Sequence, residues 1–226
     1  MHPDDPETQA AARLTAVRQA IAQAARITGR SADTVTLIAI SKTHAAEEIA
    51  PLLDAGQQVF GENRVQEAEA KWPALSALWP HTLLHLVGQL QSNKADEAVA
   101  LFDAIHSVDR PSLVSALARA MERQDRRPDC FLQVNIGAEP QKGGCAIDAL
   151  PDLLAAARAA DLPIIGLMAV PPADVEAAPY FALLAKMARD HGIAGLSMGM
   201  SGDFETAVTL GATHVRVGTA LFGARP

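Results

Sequence analysis

Short apolar segments recur about every 25 to 30 residues along this chain, and each is followed by a stretch with helical spacing. That alternation predicts a parallel sheet, because parallel neighbours need a crossover connection, usually a helix. The segments lie near 35–40, 57–60, 83–87, 102–107, 130–135, 163–169, 194–198 and 213–217. Amphipathic or alanine-rich stretches fall between them, near 45–55, 62–71, 89–100, 111–126, 147–160, 174–191 and 202–210, behind a long opening helix near 7–28. Pro111 and Pro151 stand near helix starts, where a missing amide proton is harmless, and Gly56, Gly192 and Gly211 just past helix ends, where a left-handed cap is wanted. Eight strands with intervening helices predict a (β/α)8 TIM barrel with an extra N-terminal helix, and 226 residues leave room only for short loops. A doubly wound open sheet is the runner-up, weakened by the absence of a Gly-x-Gly-x-x-Gly turn after the first strand. With no linker, low-complexity tract or internal repeat, residues 1–226 read as a single domain.

Composition excludes several classes of function. Hydrophobic residues make up 49% of the chain but aromatics only 4%, so aliphatic side chains and alanine must fill the core. A net charge of -7 gives no electrostatic footprint for nucleic acid or an anionic membrane. The two cysteines, Cys130 and Cys145, are too few for a disulfide framework or a zinc site, which fits a reducing compartment. The start, Met1 to Pro6, is acidic and proline-containing, unlike a signal peptide, and no apolar run approaches the roughly 18 residues of a membrane span. A soluble, cytoplasmic protein is expected.

Chemistry concentrates at the ends of the predicted strands. Lys42 follows the apolar run Val35 to Ile40, so an ammonium stands where the strand ends converge. A lysine there can form an imine with a carbonyl once burial or a nearby cation frees its amine. At the other end of the chain, Leu196-Ser197-Met198-Gly199-Met200-Ser201-Gly202-Asp203 leads from strand seven into a helix; Ser201 can cap it, and the amides of Gly202 and Asp203 then face a bound anion. In Thr213-His214-Val215-Arg216-Val217-Gly218-Thr219, alternation turns His214 and Arg216 into the barrel, and Gly218-Thr219-Ala220 offers further amides and a hydroxyl. Either turn alone also serves simply to cap a helix. A buried Arg216 must meet a carboxylate, a carbonyl or a ligand atom, and Asp203 is the carboxylate on offer. Asn63 caps its helix or bonds a ligand, Met198 and Met200 pad a flat ring or plain core, and His85 reads as a packed interior residue. Lys142, in the polar and mobile-looking loop Lys142-Gly143-Gly144, is the rival amine, with an expected solvated role.

Taken together, Ile38-Ala39-Ile40-Ser41-Lys42-Thr43, Gly61-Glu62-Asn63-Arg64-Val65-Gln66-Glu67, Gly88-Gln89-Leu90-Gln91-Ser92-Asn93-Lys94, Gly166-Leu167-Met168, Leu196 to Ser201 and His214 to Thr219 resemble the pyridoxal phosphate homeostasis proteins, single-domain relatives of the alanine racemase barrel. The resemblance spans nearly the whole chain. It implies that Lys42 holds pyridoxal 5'-phosphate as a Schiff base and that Arg216 contacts the pyridine nitrogen. It also implies that Ser201, Gly202, Gly218 and Thr219 bind the phosphate, with Asn63 and Met198 near the ring. His44-Ala45 stands where a Lys-Pro pair is frequent in relatives, and Gln89 where histidine or proline is.

An arginine at the ring nitrogen favours the unprotonated pyridine, a weak electron sink. Related racemases add a second base, a tyrosine from an additional β domain, whereas this chain ends at Pro226 and its only tyrosine, Tyr180, reads as ordinary packing. The expectation is therefore a non-enzymatic carrier that buffers pyridoxal phosphate and hands it to apo forms of enzymes that use it, as a monomer. The alternatives are a pyridoxal-phosphate racemase or related enzyme of weak activity, in which His85 or Cys145 substitutes for the tyrosine, and a barrel aldolase acting through Lys42.

Overall fold

The computed structural model of the chain describes residues 5–223; the readings placed on Met1 to Asp4 and on Pro226 lie outside them. The strands are β1 (Thr36–Ile40), β2 (Val59–Glu62), β3 (Leu83–Leu86), β4 (Ala104–Val108), β5 (Asp129–Gln133), β6 (Ile164–Met168), β7 (Gly195–Ser197) and β8 (His214–Val217). All neighbours pair in parallel, and the sheet closes by pairing β8 with β1, in the register Leu37 with Val215 and Ala39 with Val217. The helices are α1 (Pro6–Ile27), α2 (Ala46–Asp54), α3 (Val65–Leu78), α4 (Ala95–Leu101), α5 (Pro111–Gln124), α6 (Leu150–Ala159), α7 (Ala178–Asp190), α8 (Phe204–Thr209) and α9 (Thr219–Phe222). The (β/α)8 barrel and the extra opening helix are as the periodicity predicts.

Local chemistry sets the boundaries. Pro6 starts α1, whose buried stripe of Ala10, Leu14, Val17, Ile21 and Ala24 follows helical spacing and packs on α2, α8 and α9. Arg30 extends this covering helix by donating to the carbonyls of Val208, at 3.1 Å, and Ala212, at 2.9 Å. Gly56, Gly192 and Gly211 have positive φ, as expected of helix-ending glycines.

Among the departures from the sequence reading, three bear on the core and the site. The helix expected to stop near 71 runs through Pro73 to Leu78, because Trp72 and Leu75 on its inner face are buried in the core. The helix expected from 89 begins only at Ala95, after a 3-10 turn over Ser92–Lys94, and Arg110 takes the Leu90 carbonyl out of helical bonding at 2.9 Å. Gly218-Thr219-Ala220, read as a short turn, leads into the one-turn helix α9 over Thr219–Phe222.

The barrel interior is polar and aromatic, where branched aliphatic residues normally dominate. Leu37, Ala39, Val215 and Val217 face the helices, and the alternate positions Ile38, His214 and Arg216 face inward with His85, His106, Phe131, Met168 and Ser197. Gly166 leaves room for Phe131, since a Cβ there would lie 2.3 Å from its ring. His85 and His214 are held neutral, at about 3 and about 4, first by burial and then, for His214, by the positive charge of Arg216.

Because the unfolded chain binds these protons near pH 6.5 and the folded chain does not, the stability that neutral histidines contribute is complete above that pH and is lost as pH falls toward about 4 and 3. Each contributes a slope of about 1.4 kcal/mol per pH unit in that window. Urea melts between pH 7 and 4 should therefore steepen in acid for the native chain and be shallower for His85→Gln; identical slopes would contradict the neutral-histidine core.

Candidate functional site

Beyond Ile40 the backbone turns sharply through Ser41, Lys42, Thr43 and His44, with Thr43 at φ +67. A β-branched residue in the left-handed region stores strain of roughly 1–3 kcal/mol and persists only where its surroundings hold it. A buried ionic clamp does so here. The Glu62 carboxylate, fully buried at the end of β2, accepts from the Ser41 hydroxyl at 2.6 Å and from the Trp72 indole at 3.0 Å. Lys71 lies 2.9 Å from the same oxygen and donates to the carbonyls of Ser41 (2.9 Å) and His44 (3.0 Å) and to Glu67 (3.0 Å). Glu67 in turn accepts the Thr43 amide. Lys71 is thus surrounded by acceptors, whereas the Lys42 ammonium has no hydrogen bond among the described residues and lines an open cleft.

That cleft has a volume of about 280 Å³, and its walls bring together Lys42, Ser201, Gly202, Arg216, Gly218 and Thr219. Ile40, His44, Met200 and Gly223 complete them. The turn after β7 needs Gly199, whose φ is +93 and where a Cβ would lie 2.5 Å from that of Ala207. Asp203, rather than Ser201, stands before the first residue of α8, and its carboxylate accepts the Met200 amide at 2.6 Å. The expected cap role of Ser201 is corrected accordingly: its hydroxyl oxygen accepts the amides of Gly218 (3.2 Å) and Ala220 (3.4 Å), joining the two turns. The amides of Gly202 and Thr219 have no partner among the described residues. An anion placed there would meet unpaired donors.

Arg216 reaches this cleft from inside the barrel. It is 5% exposed and donates to the Ser197 hydroxyl at 2.7 Å and to the Ala169 carbonyl at 2.9 Å. Burial lowers it to about 10, opposed by the charge of Asp203, so the guanidinium stays charged at neutral pH. No carboxylate pairs with it among the described residues, because Asp203 bonds Met200 instead. Of the five N–H donors an arginine carries, Ser197 and Ala169 take one each.

Asn63 and Met198 are not in the walls of this cleft. Asn63 lines a neighbouring one of about 320 Å³ with Arg64, Gln89, Gln91 and Lys94, and Met198 is wholly buried. His85 is interior, as expected, and Tyr180 packs half-buried on the core. Lys142 is not freely solvated: it donates to the Pro171 carbonyl at 2.9 Å and pairs with Glu139 at 2.7 Å.

The sequence reading missed the clamp and α9. Glu67 and Lys71, spaced by one helical turn, were its visible signal, but Glu62 and the loop carbonyls join them only in three dimensions. His44 was noted only as a departure; it stacks on Phe222 of α9 with ring centroids 4.2 Å apart, and Glu48 lies 3.3 Å from its Nδ1.

Residues 13–226 match the family model described as alanine racemase, N-terminal domain. The chain is 40% identical over 230 residues to the pyridoxal phosphate homeostasis protein of Escherichia coli, spanning 94% of this chain and 95% of that one. It is 42% identical over 214 residues to the protein of the same name from Deinococcus radiodurans, spanning 92% and 97%. The chain belongs to the pyridoxal phosphate homeostasis protein family. PipY of Synechococcus elongatus, 40% identical and solved without and with pyridoxal phosphate bound, superposes on this family member with TM-scores of 0.83 and 0.81 over 95% of the chain. The alanine racemase of Clostridium difficile, at 12% identity and a TM-score of 0.67, shares the fold. As in the sequence reading, no helix among the described residues is long and apolar enough to cross a membrane.

Lys71→Met strands the buried Glu62 charge and should lower unfolding free energy by about 3–5 kcal/mol, measured by urea melts. Lys71→Met combined with Glu62→Gln should recover part of that loss. A single variant as stable as the native chain would refute the clamp.

Proposed function

We propose that this chain binds pyridoxal 5'-phosphate covalently through Lys42 and acts as a carrier that buffers the cofactor. The observation that carries this reading is the cleft itself: an amine without a bonding partner shares one cavity with unpaired amides and a buried, carboxylate-free arginine. Those are the groups that an aldehyde, a phosphate and a ring nitrogen need, and about 280 Å³ is near the roughly 300 Å³ at which small-ligand pockets begin. The solved relative with pyridoxal phosphate bound supports the same ligand.

When bound, pyridoxal phosphate supplies an aldehyde for capture and a ring that can accept electrons. Lys42 would present its amine to that aldehyde, with water as the leaving group. Ser201, Gly202, Gly218 and Thr219 would hold the phosphate and Arg216 would face the ring nitrogen, whereas Asn63, on its own cleft, and the buried Met198 stand outside the walls that would meet the ring. A charged arginine keeps that nitrogen unprotonated and so withholds the electron sink that carbanion chemistry requires.

The carrier reading also draws on what surrounds the cleft. Tyr180 packs on the core, His85 is bonded to His106 inside the barrel, and the Cys145 thiol is pushed up to about 11, chiefly by burial. None of the three is available as a second base beside Lys42. The curated relatives bear the name of homeostasis proteins, which supports holding over turnover. Its recipients would be apo forms of pyridoxal-phosphate enzymes. Lys42, Ser201 and Arg216 all come from one barrel, so a monomer suffices to build the site.

Borohydride reduction of the loaded protein, followed by peptide mapping, should place the pyridoxyl label on Lys42 and leave Lys71 unlabelled; label on Lys142 alone would refute the assignment. Arg216→Ala and Ser201→Ala should each weaken retention about tenfold or more without unfolding the chain, checked by titration and thermal melts. Exchange of an amino acid's α-proton faster than free cofactor supports, and abolished by Lys42→Ala, would overturn the carrier reading in favour of an enzyme.

A further inference from the structure

Behind the cleft, Arg216 begins a chain of buried hydrogen bonds that the carrier function as stated does not use. Its Nη1 lies 2.7 Å from Ser197 Oγ, which lies 2.8 Å from His106 Nδ1; His106 Nε2 lies 2.9 Å from His85 Nδ1. Ser197, His106 and His85 are each at most 7% exposed. No two of these residues are close in sequence; β3, β4, β7 and β8 each deliver one.

Counting protons gives the chain a direction. A guanidinium only donates, so Ser197 Oγ accepts from Arg216. The hydroxyl proton then needs an acceptor, and among the described residues His106 Nδ1 is the one within reach. A neutral His106 with Nδ1 accepting must carry its proton on Nε2 and donate to His85 Nδ1. The reverse direction would leave the Ser197 proton buried without a partner, at a cost of roughly 1–3 kcal/mol. His106 cannot easily turn away, because its ring stacks on Phe131 at 4.1 Å and an interplanar angle of 16°.

We propose that Ser197, His106 and His85 are positioning residues, all neutral, that orient Arg216 toward the ligand through a one-way relay of hydrogen bonds. Two N–H groups of the guanidinium are fixed, on Ser197 and on the Ala169 carbonyl, while its charge stays uncompensated and its remaining donors are left for the cleft. The arginine is thereby oriented before the ligand arrives, which spares the ordering that binding would otherwise require. This inference rests on the reading of the cleft as a pyridoxal phosphate site.

The test has a part that needs no ligand. Long-range proton–nitrogen NMR on the native apo protein should show His106 as the Nε2–H tautomer; the Nδ1–H tautomer would overturn the relay. In the second part, equilibrium dialysis with pyridoxal phosphate compares Ser197→Ala, His106→Leu and the double variant, each first shown folded by its thermal melt. Each single variant should weaken retention about tenfold, and the double variant no more than the weaker single one, since both break one path. His106→Gln, whose amide oxygen can accept the Ser197 proton, should lie within about twofold of the native chain. Losses that multiply to about a hundredfold, unchanged retention in His106→Leu, or failure of the glutamine variant to restore it would each overturn the proposal. If the native chain itself fails to retain pyridoxal phosphate, the cofactor reading falls and the tautomer alone judges the relay.

Discussion

Pairing of β8 with β1 is the contact on which everything at the site depends. The ladder from Thr36 with His214 to Ala39 with Val217 closes the sheet and joins the two ends of the sequence. It places the Lys42 turn directly beside the Gly218-Thr219 turn, and it points Arg216 inward next to Ile38. In an open sheet these strands would be opposite edges, and no cleft would contain both the lysine and the arginine. Helix α1 covers this seam through its contacts with α2, α8 and α9, and Arg13 ties it to α9 by donating to the Phe222 carbonyl at 3.0 Å.

Two lysines meet at the turn after β1, and their surroundings separate their roles. Lys71 is spent on structure: two carboxylates and two loop carbonyls hold it, and together they hold Thr43 in a conformation it would not adopt alone. Lys42, one residue before that strained position, makes no such bonds among the described residues and faces the cleft. A buried charge network is weak support for stability in general, because desolvation offsets attraction. Here it fixes the shape of a loop that must present an amine.

The barrel interior follows a related logic. Three histidines, a serine and an arginine occupy space that aliphatic side chains would fill more favourably, and burial keeps His85 and His214 neutral. Neutral partners leave the arginine's charge available, which a carboxylate would have neutralised. The alternative of an Asp203 pair for Arg216 is not realised, for a local reason: that carboxylate bonds the Met200 amide at the start of α8.

From sequence alone, the period of apolar segments determined the (β/α)8 barrel, and alternation within Thr213 to Thr219 determined that His214 and Arg216 point inward. Lys42 at a strand end and the small residues of Ser201-Gly202 and Gly218-Thr219 were legible as candidates for the same reason: strand ends converge in this fold. What each group touches was not legible. That Ser201 bridges to Gly218 and Ala220, that Glu62 and Lys71 clamp the lysine turn, that Asn63 opens on a neighbouring cleft, and that Ser197 connects Arg216 to His106 were decided only by tertiary structure. Periodicity reports which face of an element a residue occupies, because it reflects backbone geometry repeated along the chain. Partners across a closed barrel come from strands distant in sequence, and their hydrogen bonds depend on register and side-chain direction that no local pattern records.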